Sequence, residues 1–178
     1  AAAPGQNLRS RPKLYPKMSV LKVGFYNELL RYGFNVWACD ADAIFIADPR
    51  PLMRSPAWLD AMLAAATDCI DIRVDSRFPM LNCDLNTGLV YMRSHPTTIA
   101  FTARWRETIA SAKEIRVRDQ AAFNMLLKAR RLRYLRGRLF AGANGESEIT
   151  LGLLPLSQFL NGHTFFVQHA HTLPNAAP

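Results

Sequence analysis

The chain has 178 residues, and its 22 Lys and Arg against 14 Asp and Glu give a formal charge of +8. That length suits one domain, and at 49% hydrophobic residues the chain can bury a core, which excludes wholesale disorder. No apolar run approaches the roughly 20 residues of a membrane span and 1–16 holds no signal-peptide stretch, while the basic surface attracts anions without choosing among them.

Residues 1–18, rich in Pro and Arg, read as an extended lead-in. Ser19 is placed to cap a helix through Arg31, ended by Gly33. Phe34 to Ala47 is two apolar runs flanking Asp40-Ala41-Asp42, with Val36, Trp37, Ile44, Phe45 and Ile46 favouring strand. Asp48-Pro49 is a turn, Pro56 to Ala66 a short Ala-rich helix, and Thr67 to Val74 a strand. Leu89 to Met92 is a better strand. Pro96 opens a helix to about Ala112, and Asp119 starts another through Ala129, as its N-cap. The Arg-rich segment from Arg130 to Arg138, usually a solvated face but also suited to contact a diphosphate or an acidic acceptor, leads to a loop around Gly142 and Gly145. Leu151 to Leu154 and Phe159 to Gln168 follow, with 169–178 a tail containing Ala and Pro. Helices alternating with apolar strands predict an α/β sheet protein.

Three cysteines, Cys39, Cys69 and Cys83, follow no metal-binding spacing and permit one disulfide at most. Cys39, inside an apolar run, reads as a small buried hydrophobe.

Asp40 and Asp42 carry the most information. With nine Asp in the chain, chance supplies roughly half a copy of their spacing, so the spacing alone is weak. Their setting says more. They interrupt a run that reads as a buried strand, where uncompensated carboxylates cost several kcal/mol each. The i, i+2 spacing puts both on one face of a regular strand, offering two hard oxygen ligands to Mg²⁺ or Mn²⁺, with phosphate oxygens completing the shell. The alternative is a pair of exposed acids at a strand end, paired with Arg or capping a turn.

From Val36 through Asp40-Ala41-Asp42 to Asp48-Pro49, the sequence resembles the metal-site strand of the nucleotide-diphospho-sugar transferases, glycosyltransferase family 77, which holds plant and algal arabinosyl- and xylosyltransferases. Leu85-Asn86-Thr87-Gly88, Trp105, Asp119-Gln120 with Phe123-Asn124, and Leu154-Pro155-Leu156 through Phe159-Leu160-Asn161-Gly162-His163 to Gln168 continue the likeness in order. The resemblance implies a GT-A-like (Rossmann-like) mixed sheet flanked by helices over 19–168, truncated at both ends. It implies a retaining, metal-dependent transfer of a sugar, such as arabinose or xylose, from a UDP-sugar to a glycan or glycoprotein.

By the same resemblance Asp40 and Asp42 hold the metal, and Asp40, Asp84, Asn86 and Gly88 meet the donor. Asp119 binds donor-sugar hydroxyls, Gln120 lies near the anomeric carbon, and Asn161 and His163 have a pocket or acceptor role. His169 and His171 are not assigned to the metal. Trp105 reads as core packing rather than a stacking platform. Asn86 and Gly88 also suit an ordinary turn, and Asp84 a solvated loop acid. The family places the activity in the Golgi lumen with the membrane anchor outside this chain, and no nucleic-acid partner is expected. The competing readings are a non-catalytic basic binding module and a degenerate transferase-like structural domain.

Overall fold

In the computed structural model the described residues are 14–77, 81–112, 118–144 and 147–172. The elements run α1 (Leu14–Arg31), β1 (Val36–Cys39), α2 (Arg50–Arg54), β2 (Leu63–Thr67), α3 (Ile72–Arg77), β3 (Leu85–Met92), α4 (Pro96–Ser111), α5 (Asp119–Lys128), β4 (Arg133–Arg136), β5 (Leu139–Asn144) and β6 (Ser147–Leu153). A π-helical turn, His163–Val167, and a 3-10 turn, Ala170–Thr172, follow. The strands form one mixed sheet in the order β1-β3-β2-β6-β5-β4. The β2–β6 pair is parallel and its neighbours are antiparallel.

Side-chain alternation splits the interior into two cores. On one face Val36, Ala38, Leu63, Ala65, Val90, Met92, Leu151 and Leu153 pack against Val23 and Leu30 of α1, Phe101 and Trp105 of α4, and Phe123 of α5. The residues between them, Ala64, Ala66 and Tyr91, turn to the other face and meet Met53, Trp58 and Leu154. Helices therefore cover one face, and α2 with the Trp58 segment covers the other. This is the GT-A-like mixed sheet flanked by helices that the resemblance implies.

Several local expectations fail. The helix predicted from Ser19 begins at Leu14, so 14–18 are not an extended lead-in. Pro16 lies in the first turn, where a missing N–H costs nothing. Residues 1–13 lie outside the described residues.

The expected strand over 34–47 shrinks to Val36–Cys39, and Ile44 and Ile46 are 85% and 86% exposed. The helix expected over 56–66 is replaced by β2 at its end. Every residue of β2 is buried between β3 and β6, and there the sheet's hydrogen bonds override the helix propensity of alanine. In place of the strand expected over 67–74, only Thr67 continues β2, and α3 starts at Ile72. The Arg-rich segment holds β4, and Gly142 belongs to β5 rather than to a loop, while Gly145 lies outside the described residues.

Cys39 is exposed, not buried, because β1 is an edge strand that ends there. Cys69 and Cys83 form a disulfide with Cα atoms 5.4 Å apart. Of the tail, Ala170 is buried, and 173–178 lie outside the described residues. Among the described residues no helix is long and apolar enough to cross a membrane.

Candidate functional site

At the C-terminal end of β1 the chain leaves the sheet in a turn. Asp40 N–H donates to the Gly88 carbonyl at 2.8 Å, which extends the β1–β3 ladder by one residue, and Ala43 N–H closes the turn on the Asp40 carbonyl at 3.0 Å. The Asp pair therefore sits on a turn at the sheet's end and not inside a buried strand. The Asp40 side chain is 48% exposed, and Asp42 is exposed, so neither carries the burial penalty that the sequence suggested.

Asp40 forms one wall of a cleft of about 650 Å³. Lys22 of α1, Asp84, Thr87 of β3 and the start of α5, Arg118 through Ala121, line it as well. Asp42 is not part of that lining.

Lys22 joins the two walls. Its Nζ donates to Asp40 Oδ1 at 2.7 Å and to Asp119 Oδ2 at 3.2 Å. Burial pulls the Lys22 pKa down, but the hydrogen bond to Asp40 and the surrounding negative charge outweigh it and hold the pKa above the ordinary lysine value. Lys22 is charged at neutral pH and acts as the cation between two acids that would otherwise repel.

Asp119 is the first residue of α5 but not its cap. The cap position is Arg118, with no side-chain cap bond. An acid in the first turn is favoured there by the helix dipole, which frees the carboxylate to face the cleft. Trp105 fixes this point from behind: its ring is buried and its Nε1–H donates to the Asp119 carbonyl at 2.8 Å. The indole is core packing, as expected, and also an anchor for the cleft.

Gln120 lines the cleft, whereas Asn86 and Gly88 do not. Gln120 Oε1 accepts from Thr87 N–H at 3.4 Å, and Asn86 Oδ1 accepts from Gly88 N–H at 2.7 Å. Asn124, one turn further along α5, clamps β3 through both the N–H and the carbonyl of Leu85, at 2.9 and 2.8 Å. Gly88 is needed for close approach. A Cβ there would come 2.8 Å from Asn86 Oδ1 and 3.2 Å from Asp40 Oδ2.

The remaining sequence candidates divide. Asp84 lines the cleft and pairs with Lys128 at 2.9 Å. Asn161 lies outside the lining, where its Nδ2 donates to the Cys69 carbonyl at 2.8 Å and ties the closing segment to the end of β2. His163 is exposed and is not part of the cleft lining. The rings of His169 and His171 lie 6.1 Å apart, and His171 stacks on Phe165. The Arg-rich segment does not line the cleft. Arg130 donates to the Ser147 carbonyl, Arg136 pairs with Asp60, and Arg138 pairs with Asp75.

Among the described residues no group of three His, Cys, Asp or Glu could hold a metal ion. A site closed by side chains is therefore not what these residues offer. They do fit Mg²⁺ or Mn²⁺ in its partly hydrated mode, which takes one or two carboxylates and completes its shell with water and phosphate oxygens. Asp40, half exposed on the cleft wall with a cation already against it, is a donor of that kind.

The family model described as nucleotide-diphospho-sugar transferase matches residues 7–176. Over 162 residues, 86% of this chain, the sequence is 28% identical to arabinosyltransferase XEG113 of Arabidopsis thaliana. The chain spans 24% of that relative's length. No solved structure matches the chain.

Proposed function

The chain belongs to the nucleotide-diphospho-sugar transferase family, and on that premise we propose that its cleft is the donor site of a glycosyltransferase that uses a UDP-sugar. The observation that carries this reading is the meeting of Asp40, Lys22, Asp119 and Gln120 from three separate elements on one cleft. The relative's arabinosyltransferase activity favours a pentose donor, and a glycan or glycoprotein is the acceptor class.

In this reading Asp40 would hold Mn²⁺ or Mg²⁺, which would supply neutralising charge for the diphosphate, while Asp42, two residues on in the same exposed turn, lies outside the cleft lining and would have to turn in to join it. The Lys22 ammonium, already in the cleft, adds a second positive charge for the departing phosphate. Asp119 accepts hydrogen bonds from sugar hydroxyls. Gln120 is neutral and a poor nucleophile, which suits a retaining reaction in which acceptor and leaving group share one face of the sugar. The disulfide suits an oxidising compartment such as the Golgi lumen.

Calorimetric titration with UDP, with and without Mn²⁺, tests the reading. UDP affinity should depend on Mn²⁺ and fall at least about tenfold in Asp40→Asn, the loss of a single charge-assisted contact. Asp40 is half exposed and Asn keeps an oxygen for Lys22, so the melting temperature should fall by no more than a few degrees, the scale of a partly exposed ion pair. Equal UDP binding without metal would remove the metal assignment. Absence of UDP binding under any metal would remove the donor site.

A further inference from the structure

Asp68, which no motif singles out, is the point on which two amides converge, Gln120 from the cleft lining and Asn86 from outside it. Its Oδ1 accepts from Asn86 Nδ2 at 2.6 Å, and its Oδ2 accepts from Gln120 Nε2 at 2.8 Å. A side-chain amide has two ends of nearly equal size, a donor and an acceptor, whereas an ionised carboxylate only accepts. Asp68 therefore selects the nitrogen end of both amides. With the nitrogens taken, the oxygens turn to the backbone of β3, Asn86 Oδ1 to Gly88 N–H and Gln120 Oε1 to Thr87 N–H. Each amide keeps one unused N–H and one lone pair, the complement of a hydroxyl group, which both donates and accepts.

Asp68 is itself held from two sides. Its backbone N–H donates to the Asp84 carbonyl at 2.9 Å. The next residue, Cys69, is joined by the disulfide to Cys83, which directly precedes Asp84. Asn161 adds a hydrogen bond to the Cys69 carbonyl.

We propose that Asp68 is a positioning residue of the cleft, an acceptor-only clamp that sets the orientation of the Asn86 and Gln120 amides for recognition of a sugar hydroxyl. This proposal rests on the donor-site reading of the cleft. Asp68 hydrogen-bonds to the two amides and to neither Asp40 nor Lys22, the residues that the donor-site reading gives to the metal and the diphosphate. Its loss should therefore separate sugar recognition from nucleotide recognition.

The test uses Asp68→Asn, which keeps the shape but offers one NH₂ group where an acceptor is needed. Affinity for UDP with Mn²⁺ should stay at the wild-type value. The additional affinity of UDP-arabinose or UDP-xylose over UDP should fall about tenfold, the loss of one well-placed hydrogen bond. The side-chain NH₂ resonances of Asn86 and Gln120 should shift in ¹⁵N-resolved NMR. A double variant that combines Asp68→Asn with Gln120→Glu reverses the polarity of one bond, the new amide donating to the new carboxylate. Its amide oxygen is then left to accept from Asn86, and the Asn86 resonance should be restored.

Unchanged amide resonances in Asp68→Asn would overturn the clamp. A parallel loss of UDP and UDP-sugar affinity with a lowered melting temperature would also overturn it, because that is the signature of a merely structural acid. If the wild-type protein binds no UDP, the donor-site reading fails and with it the sugar half of the proposal. The resonances then still decide whether Asp68 orients the amides.

Discussion

Lys22 illustrates what single residues do in this cleft and how little of it a sequence advertises. Asp40, Asp119 and Gln120 stand in recognisable segments, so the chain could be read at those positions. A lone lysine on an amphipathic helix has no such context, and neither has a lone aspartate at a strand end; Lys22 and Asp68 acquire a role only when the fold sets α1 beside β1 and brings the residue after β2 to the start of α5. The setting also changes the meaning of Asp40. Its carboxylate is not waiting uncompensated in a core, because Lys22 Nζ lies 2.7 Å away. On the donor-site reading proposed above, a divalent ion would compete with that ammonium. Replacing Lys22 with Met removes the competitor and keeps the aliphatic stem, so Mn²⁺ binding measured by EPR without nucleotide should tighten up to about fivefold, the scale of a partly exposed ion pair. Binding no tighter than wild type would show that Asp40 and the metal do not meet.

At the scale of elements, burial explains where the sequence was misread. Pro16 falls in the stretch read as an extended lead-in and sits harmlessly in the first turn of α1. Ala64, Ala65 and Ala66 favour helix in isolation, yet small side chains on both faces suit a central strand enclosed by Trp58 and Tyr91 on one side and helices on the other. The helices α4 and α5 were legible because Pro96 and Asp119 mark their starts and their apolar positions recur with helical spacing. The short helix α3 was not, since polar contacts hold it. Asp75 is 4% exposed and accepts from Arg138 Nη2 at 2.6 Å and from Leu156 N–H at 3.0 Å. Arg138 also donates to the Asp75 and Leu153 carbonyls. Asp75→Ala leaves a guanidinium largely buried and without its carboxylate, and should cost about 3–5 kcal/mol in denaturant unfolding. A loss below about 1 kcal/mol would mean that the pair is spectator to α3 docking.

For the molecule as a whole, the class of fold was legible from alternating helices and apolar strands, whereas the strand order was not. Which strands become neighbours depends on contacts far apart in the chain, such as the parallel pairing of β2 with β6. The disulfide belongs to the same long-range logic, because three cysteines in the sequence allow three pairings and only the fold brings Cys69 to Cys83. Closing 14 residues, it should contribute about 3 kcal/mol in the chain-entropy account. Reduction should lower the melting temperature and weaken UDP-sugar binding more than UDP binding, since the staple adjoins Asp68 rather than Asp40. Equal weakening of both ligands would place its effect on general stability alone. Among the described residues, finally, the far margin of the sheet is β4, with Arg133, Tyr134, Leu135 and Arg136 all exposed. A strand with unpaired backbone groups along one side invites another chain to add itself there, and bringing two arginine-bearing margins together brings like charges together. Pairing of two copies along β4 would thus oppose arginine to arginine, which disfavours self-association along that margin.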